Sequence, residues 1–180
     1  MKIILSILLF LSLISCTVYG VTNDYKKLSE EQKKTIVALE NFEKTDNNHI
    51  YKINGQQLKA ELAKHTKSLV YIFTNGCSSV RCLPMSNYEK FAKENGYKLF
   101  LVMNGYANLN ETTDQRSQVF TVPLFSIDND SYNSWYRSKY SRYFKNDLKG
   151  IETKSKTEWD GGLYFFSYDK FEKATLELPQ

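Results

Sequence analysis

The sequence predicts an α/β fold: a mixed β-sheet with helices on its faces and a hairpin at the C-terminal end. Two continuous apolar runs, SLVYIFT at 68–74 and KLFLVM at 98–103, read as strands buried on both faces, the pattern of a parallel sheet. Amphipathic segments separate such runs in β-α-β order, which places helices over the sheet. Residues 163–166 and 171–178 flank Ser167-Tyr168-Asp169-Lys170 and read as an antiparallel hairpin.

The chain opens on a different pattern. Lys2 is followed by an apolar run at 3–13 broken only by serines, then by Leu13-Ile14-Ser15-Cys16. The run is shorter than the ~20 apolar residues that span a bilayer and has the proportions of a secretory leader. Leu-Ile-Ser-Cys resembles a bacterial lipobox, which makes Cys16 the lipidated residue; cleavage after Gly20 is the rival reading. Residues 1–16 are therefore expected to be a leader, 17–48 a tether and an N-terminal helix, and 49–180 the folded domain. The expected location is the cell envelope, on a membrane anchor facing the periplasm or the exterior, or else secretion. Beyond the leader, 23 basic and 20 acidic residues are spread along the chain. Without a concentrated basic face, no nucleic-acid partner is expected.

Within the folded part, Ser29 with Gln32 forms a capping-box pattern, and Ile36, Val37, Leu39 and Phe42 continue it as the stripe of one helix. Residues 49–53 are a short strand. Asn54 caps a helix to about 64, with Leu58, Leu62 and Ala63 inward. Strand 68–74 leads into a cysteine loop. Pro84 suits a helix's first turn, and Met85, Tyr88, Phe91 and Ala92 form that helix's apolar face before Gly96. Strand 98–103 precedes a polar loop at 104–118. Residues 122–128 are another strand, Asp130 or Ser131 caps an aromatic helix to about 144, and 145–160 is a charged loop.

The chemistry centres on YIFTNGCSSVRCLP at 71–84, where a buried strand ends and two cysteines precede a helix. A helix N-terminus offers partial positive charge and backbone N–H groups, which favour the thiolate, the form that attacks disulfides. Arg81 is a candidate to add positive charge. On an ideal helix, residues five apart point about 140° away from each other, so Cys77 and Cys82 can bond only across a non-helical loop. In an exported protein, this even pair is expected to be a disulfide or a cycling dithiol.

This strand, cysteine loop and helix resemble the thioredoxin-like superfamily, and within it the TlpA/ResA-like envelope branch. The likeness spans roughly 49–178, including the extra strand and helix before the hairpin. The resemblance implies a thiol–disulfide oxidoreductase with Cys77 attacking and Cys82 resolving. Its partners would be protein thiols or disulfides and an electron-donor protein, with no cofactor. The sequence departs from the family in three ways: four residues separate the cysteines instead of two, Gly76 replaces the usual aromatic, and the family's cis-proline is missing from its expected place. That place falls at Gly161 or Gly162 in one alignment; another puts the cis-proline at Pro123. The alternative function is a non-catalytic binding or assembly lipoprotein, in which a structural Cys77–Cys82 disulfide closes a short ring worth about 2 kcal/mol.

Other candidates carry less. His49 and His65 sit in no metal-ligand spacing. The aromatic residues at 132–144 fit packing against the sheet, but interleaved Arg137, Lys139, Arg142 and Lys145 leave a glycan-, peptide- or anion-facing surface open. No phosphate loop or nucleophile elbow is present.

Overall fold

The computed structural model describes residues 19–79 and 82–179. Its seven strands are β1 (Ile36–Ala38), β2 (Ile50–Ile53), β3 (Lys67–Phe73), β4 (Lys98–Met103), β5 (Leu124–Ile127), β6 (Leu163–Ser167) and β7 (Lys170–Thr175). The α-helices are α1 (Glu30–Lys34), α2 (Gly55–Leu62), α3 (Met85–Glu94), α4 (Leu109–Thr113) and α5 (Arg137–Lys149). The strands form one mixed sheet in the order β1-β2-β5-β4-β3-β6-β7. β1 to β5 run parallel, while β6 lies antiparallel to β3 and pairs with β7 as the C-terminal hairpin. The expected α/β class, flanking helices and hairpin are all present.

The apolar runs explain the layering. Successive side chains of a strand point to opposite faces. Leu69, Tyr71 and Phe73 of β3 join Leu101 and Met103 of β4 on the face covered by α3. Val70 and Ile72 join Phe100 and Val102 on the other face, under α2 and α5. Met85, Tyr88 and Ala92 are the buried residues of α3, on the face the apolar spacing predicts. The capping boxes at Ser29–Gln32 and Asn54–Gln57 both form.

Four segments differ from expectation. The first helix ends at Lys34, and Ile36–Ala38 instead joins the sheet edge, with Ile36 opposite Ile50. The Thr35-Ile36-Val37 run is β-branched and suits a strand, and the parallel pairing with β2 satisfies its backbone. The aromatic segment breaks as well. A 3₁₀ turn spans Asp130–Tyr132, Asn133 takes a left-handed conformation (φ 47°), and α5 starts at Arg137 and ends against Gly150. Trp135 and Tyr136 are left exposed on the connection. The polar loop after β4 contains α4. Finally, the described part of the expected tether is docked: Asp24 is buried, Tyr106 N–H donates to the Asn23 carbonyl, and Tyr25 packs edge-on against Tyr106.

One hydroxyl ties α2 to α5. Tyr132 Oη accepts the Gly55 N–H at 2.7 Å and donates to Asp147 Oδ2 at 3.0 Å. Tyr132→Phe strands a backbone donor and half of a buried carboxylate, so unfolding free energy should fall by about 1–3 kcal/mol, read as a lower urea midpoint at unchanged slope.

Candidate functional site

Five strands running parallel put five carboxyl ends, and the loops that leave them, at one end of the sheet. Because β6 is antiparallel, its amino end arrives there too. In open α/β sheets this end is where ligands and chemistry gather. The cysteine loop leaves β3 at this end, next to the Asn104-Gly105 turn after β4 and to Gly161-Gly162 before β6.

Cys77 and Cys82 form a disulfide with a Cα–Cα distance of 6.0 Å. Both cysteines precede α3, so the helical geometry that would hold them apart does not apply. The Cys82 N–H donates to the Ser79 carbonyl at 2.9 Å, a tight turn inside the ring. Cys77 is exposed and Cys82 is half-buried. Pro84 sits at the N-cap of α3 and supplies no side-chain cap. The amino end of this ten-residue helix therefore faces the cysteines across a cavity of about 240 Å³, lined also by Tyr71, Thr74 and Glu111.

Three anchors hold the loop. Asn75 is buried; its Nδ2 donates to the Gly105 carbonyl at 3.0 Å and its Oδ1 accepts Thr112 Oγ1 at 2.7 Å. Gly76 turns the chain with φ 66°, and a Cβ there would meet the Glu111 carboxylate at 2.6 Å. On the far side of the ring, the Leu83 N–H donates to Tyr88 Oη at 3.3 Å, and the Tyr88 ring stacks on Tyr71 at 4.0 Å. Burial, with the Tyr88 hydroxyl beside it, pushes the Tyr71 hydroxyl well above the usual phenol range, so it stays protonated.

The supporting residues separate. Gly161 and Gly162 lie beside the end of β3: the Ile72 N–H donates to the Gly162 carbonyl at 2.8 Å. Gly161 has φ 124°, and a Cβ on it would sit 2.4 Å from the Thr175 carbonyl oxygen, so a side chain does not fit there. Pro123 precedes β5 at the opposite end of the sheet, in a groove with Phe42, His65 and Phe100. Among the described residues no peptide bond is cis, so Pro123 is a trans residue remote from the cysteines and not a cis-proline beside them. Arg81 and Cys16 lie outside the described residues. Asn75, Thr112 and Asn104 were not singled out from the sequence. For the two asparagines the signal is an Asn-Gly pair soon after each of three apolar strands, at 54–55, 75–76 and 104–105, whereas Thr112 carries none.

Compared with known proteins, the chain matches no family model, no curated protein and no solved structure. The site must be read from its own geometry. Among the described residues, no group of three His, Cys, Asp or Glu side chains could hold a metal ion, and no helix is long and apolar enough to cross a membrane.

Asn75 is the loop's internal anchor. Asn75→Ala leaves the buried Thr112 hydroxyl and Gly105 carbonyl without partners and should cost about 2 kcal/mol. Thermal unfolding followed by circular dichroism measures it, and reduction of the disulfide in the variant should leave most of that loss in place.

Proposed function

We propose that this chain is an exported thioredoxin-like protein that exchanges thiols and disulfides through Cys77 and Cys82. The observation that carries the reading is the pair's position: a short-range disulfide between the carboxyl end of an interior parallel strand and an uncapped helix N-terminus, with one cysteine exposed and its partner half-buried. That asymmetry assigns the roles. In the reduced protein, the Cys77 thiolate attacks one sulfur of a substrate disulfide, and the other sulfur leaves as a thiolate. Cys82, less accessible to the substrate, then attacks the Cys77 sulfur and releases the second substrate thiolate. Two electrons pass to the substrate, and the Cys77–Cys82 disulfide remains. A partner protein dithiol restores the reduced form. The helix amides and partial charge at α3 favour the thiolate in each step.

Two further features support the thioredoxin-like assignment: the strand that leads into the cysteine loop lies parallel to the next strand, and it lies antiparallel to the first strand of the terminal hairpin. The leader pattern supports export, with Cys16 as the lipid-bearing residue and the envelope membrane as the anchor site. Intact-mass analysis of the processed protein tests that part directly: diacylglyceryl modification of Cys16 is expected, and an unmodified chain starting after Gly20 would replace anchoring by secretion.

The wild-type protein should accelerate insulin-disulfide reduction by dithiothreitol. Cys77→Ser should abolish this, and Cys82→Ser should accumulate mixed disulfides on Cys77. A wild-type rate equal to buffer, together with a reduction potential below about −300 mV, would make the disulfide a structural staple and leave a non-catalytic binding or assembly protein.

A further inference from the structure

A second cavity, of about 550 Å³, opens beside α5 at the same end of the sheet and contains neither cysteine. Its volume falls within the roughly 300–1,000 Å³ of small-molecule sites. Four cationic side chains line it, Arg137, Arg142, Lys145 and Lys149, against two acidic ones, Glu158 and Asp160.

Of the two carboxylates, Glu158 is exposed to solvent and Asp160 is committed to other partners. Asp160 accepts Lys149 Nζ at 2.7 Å on one carboxylate oxygen and the Tyr164 hydroxyl at 2.7 Å on the other. Arg137, Arg142 and Lys145 have no ion-pair partner among the described residues. Arg142 Nε is buried without a hydrogen-bond partner. Lys145 makes a long contact, 3.4 Å, to the Gly161 carbonyl and lies 5.7 Å from the centre of the Tyr164 ring, while the nearby Asp160 carboxylate is bonded to Lys149. Withdrawal from water, with the Lys149 ammonium nearby, pulls the Lys145 ammonium below its usual pKa, and Asp160 offsets this only in part. The three cations are half-buried, and withdrawing cationic groups from water without a full counter-charge is unfavourable, a cost that an anion in the cavity would offset.

The wall opposite α5 is held firmly. Asn146 is fully buried; its Nδ2 reaches the carbonyls of Glu152, Thr153 and Ser155, and its Oδ1 accepts Thr157 Oγ1 at 2.8 Å. That network fixes the loop that delivers Trp159 to the rim. Trp159 is 69% exposed and Tyr136 is 49% exposed, so two aromatic side chains border a cationic cavity with open faces.

We infer that the cavity beside α5 binds a small organic anion, with a carboxylate or phosphate held by Arg137, Arg142 and Lys145 and a flat ring laid against Trp159. The anionic group supplies the counter-charge that the basic wall lacks, and the ring covers exposed aromatic surface. The site is independent of thiol exchange: it uses no residue of the disulfide loop and stands or falls on binding alone.

The test uses phenyl phosphate, benzoate, inorganic phosphate and phenol as probes, titrated calorimetrically into the protein. A Trp135→Phe background makes Trp159 the fluorescent reporter. Phenyl phosphate or benzoate should bind at least ten-fold tighter than inorganic phosphate and than phenol, with a change in Trp159 emission. Arg142→Gln and Lys145→Gln should each weaken that binding ten-fold or more, while Lys93→Gln on α3 should leave it unchanged. Trp159→Ala, at an exposed position that the fold tolerates, should erase the advantage of the ring-bearing anion over inorganic phosphate. Binding of the aryl anions no tighter than phenol, or binding indifferent to both Lys145→Gln and Trp159→Ala, would overturn the inference. Preference for phenyl phosphate over benzoate would identify a phosphate ligand, and the reverse a carboxylate.

Discussion

The adjacent strands β3 and β4 carry the structure. Apart from Ser68, every buried residue of the two is apolar, and both faces of the pair are buried. Such a pair cannot form an outer layer. It demands a cover on each side, and α3 on one face with α2 and α5 on the other supply it. It also needs strand neighbours on both edges, which β5 and β6 provide. The free energy that drives this is the removal of apolar surface from water, about 25 cal/mol for each Å² buried. Sheet order, helix placement and the position of the cysteine loop all follow from satisfying that one pair.

A parallel arrangement then concentrates the polar chemistry. The strands deliver their carboxyl ends to one rim, and the antiparallel β6 brings its amino end to the same place. The rim backbone needs partners once the sheet ladder stops, and asparagines supply them in three different ways. Asn54 caps α2, Asn75 bridges the cysteine loop to the turn after β4 and to α4, and Asn104 accepts Tyr140 Oη on its carbonyl and Thr74 Oγ1 on its side chain. The last two contacts link the disulfide loop to the first turn of α5. The disulfide cavity and the basic cavity therefore share one rigid rim without sharing a functional side chain.

The parts legible in the sequence were those in which local pattern and tertiary need agree. KLFLVM at 98–103 reads as a strand and is one, because no competing periodicity exists within six consecutive apolar-rich residues. The Ser29–Gln32 capping box depends on contacts three residues apart and forms as expected, as does the Asn54 cap. The disulfide was readable as a pairing, since only two cysteines follow Cys16. Ile36, Val37, Leu39 and Phe42 misled, because their spacing fits a helical stripe while the backbone of 36–39 bonds to β2, a strand that starts fourteen residues after Ile36, and Phe42 opens a separate 3₁₀ turn. Trp135 and Tyr136 misled for a related reason: aromatic side chains at helical spacing look like core, yet the left-handed Asn133 turns them outward. Pro123 matched a family position by sequence distance alone, and distance along the chain does not encode which end of a sheet a residue reaches.

By itself the sequence determined the interior strands, the starts of α1, α2 and α3, and the pairing of two cysteines ahead of a helix. These depend on side-chain character and on contacts within a few residues, which the order of amino acids states directly. Only the tertiary structure decided that 36–38 is a strand, that residues 19–28 dock against the domain, and that four cations from α5 converge on a cavity roofed by the loop before β6. Those outcomes rest on pairings between segments distant in the chain, where one backbone satisfies another's hydrogen bonds. Many such partners are compatible with the local pattern, and only the packed whole selects among them.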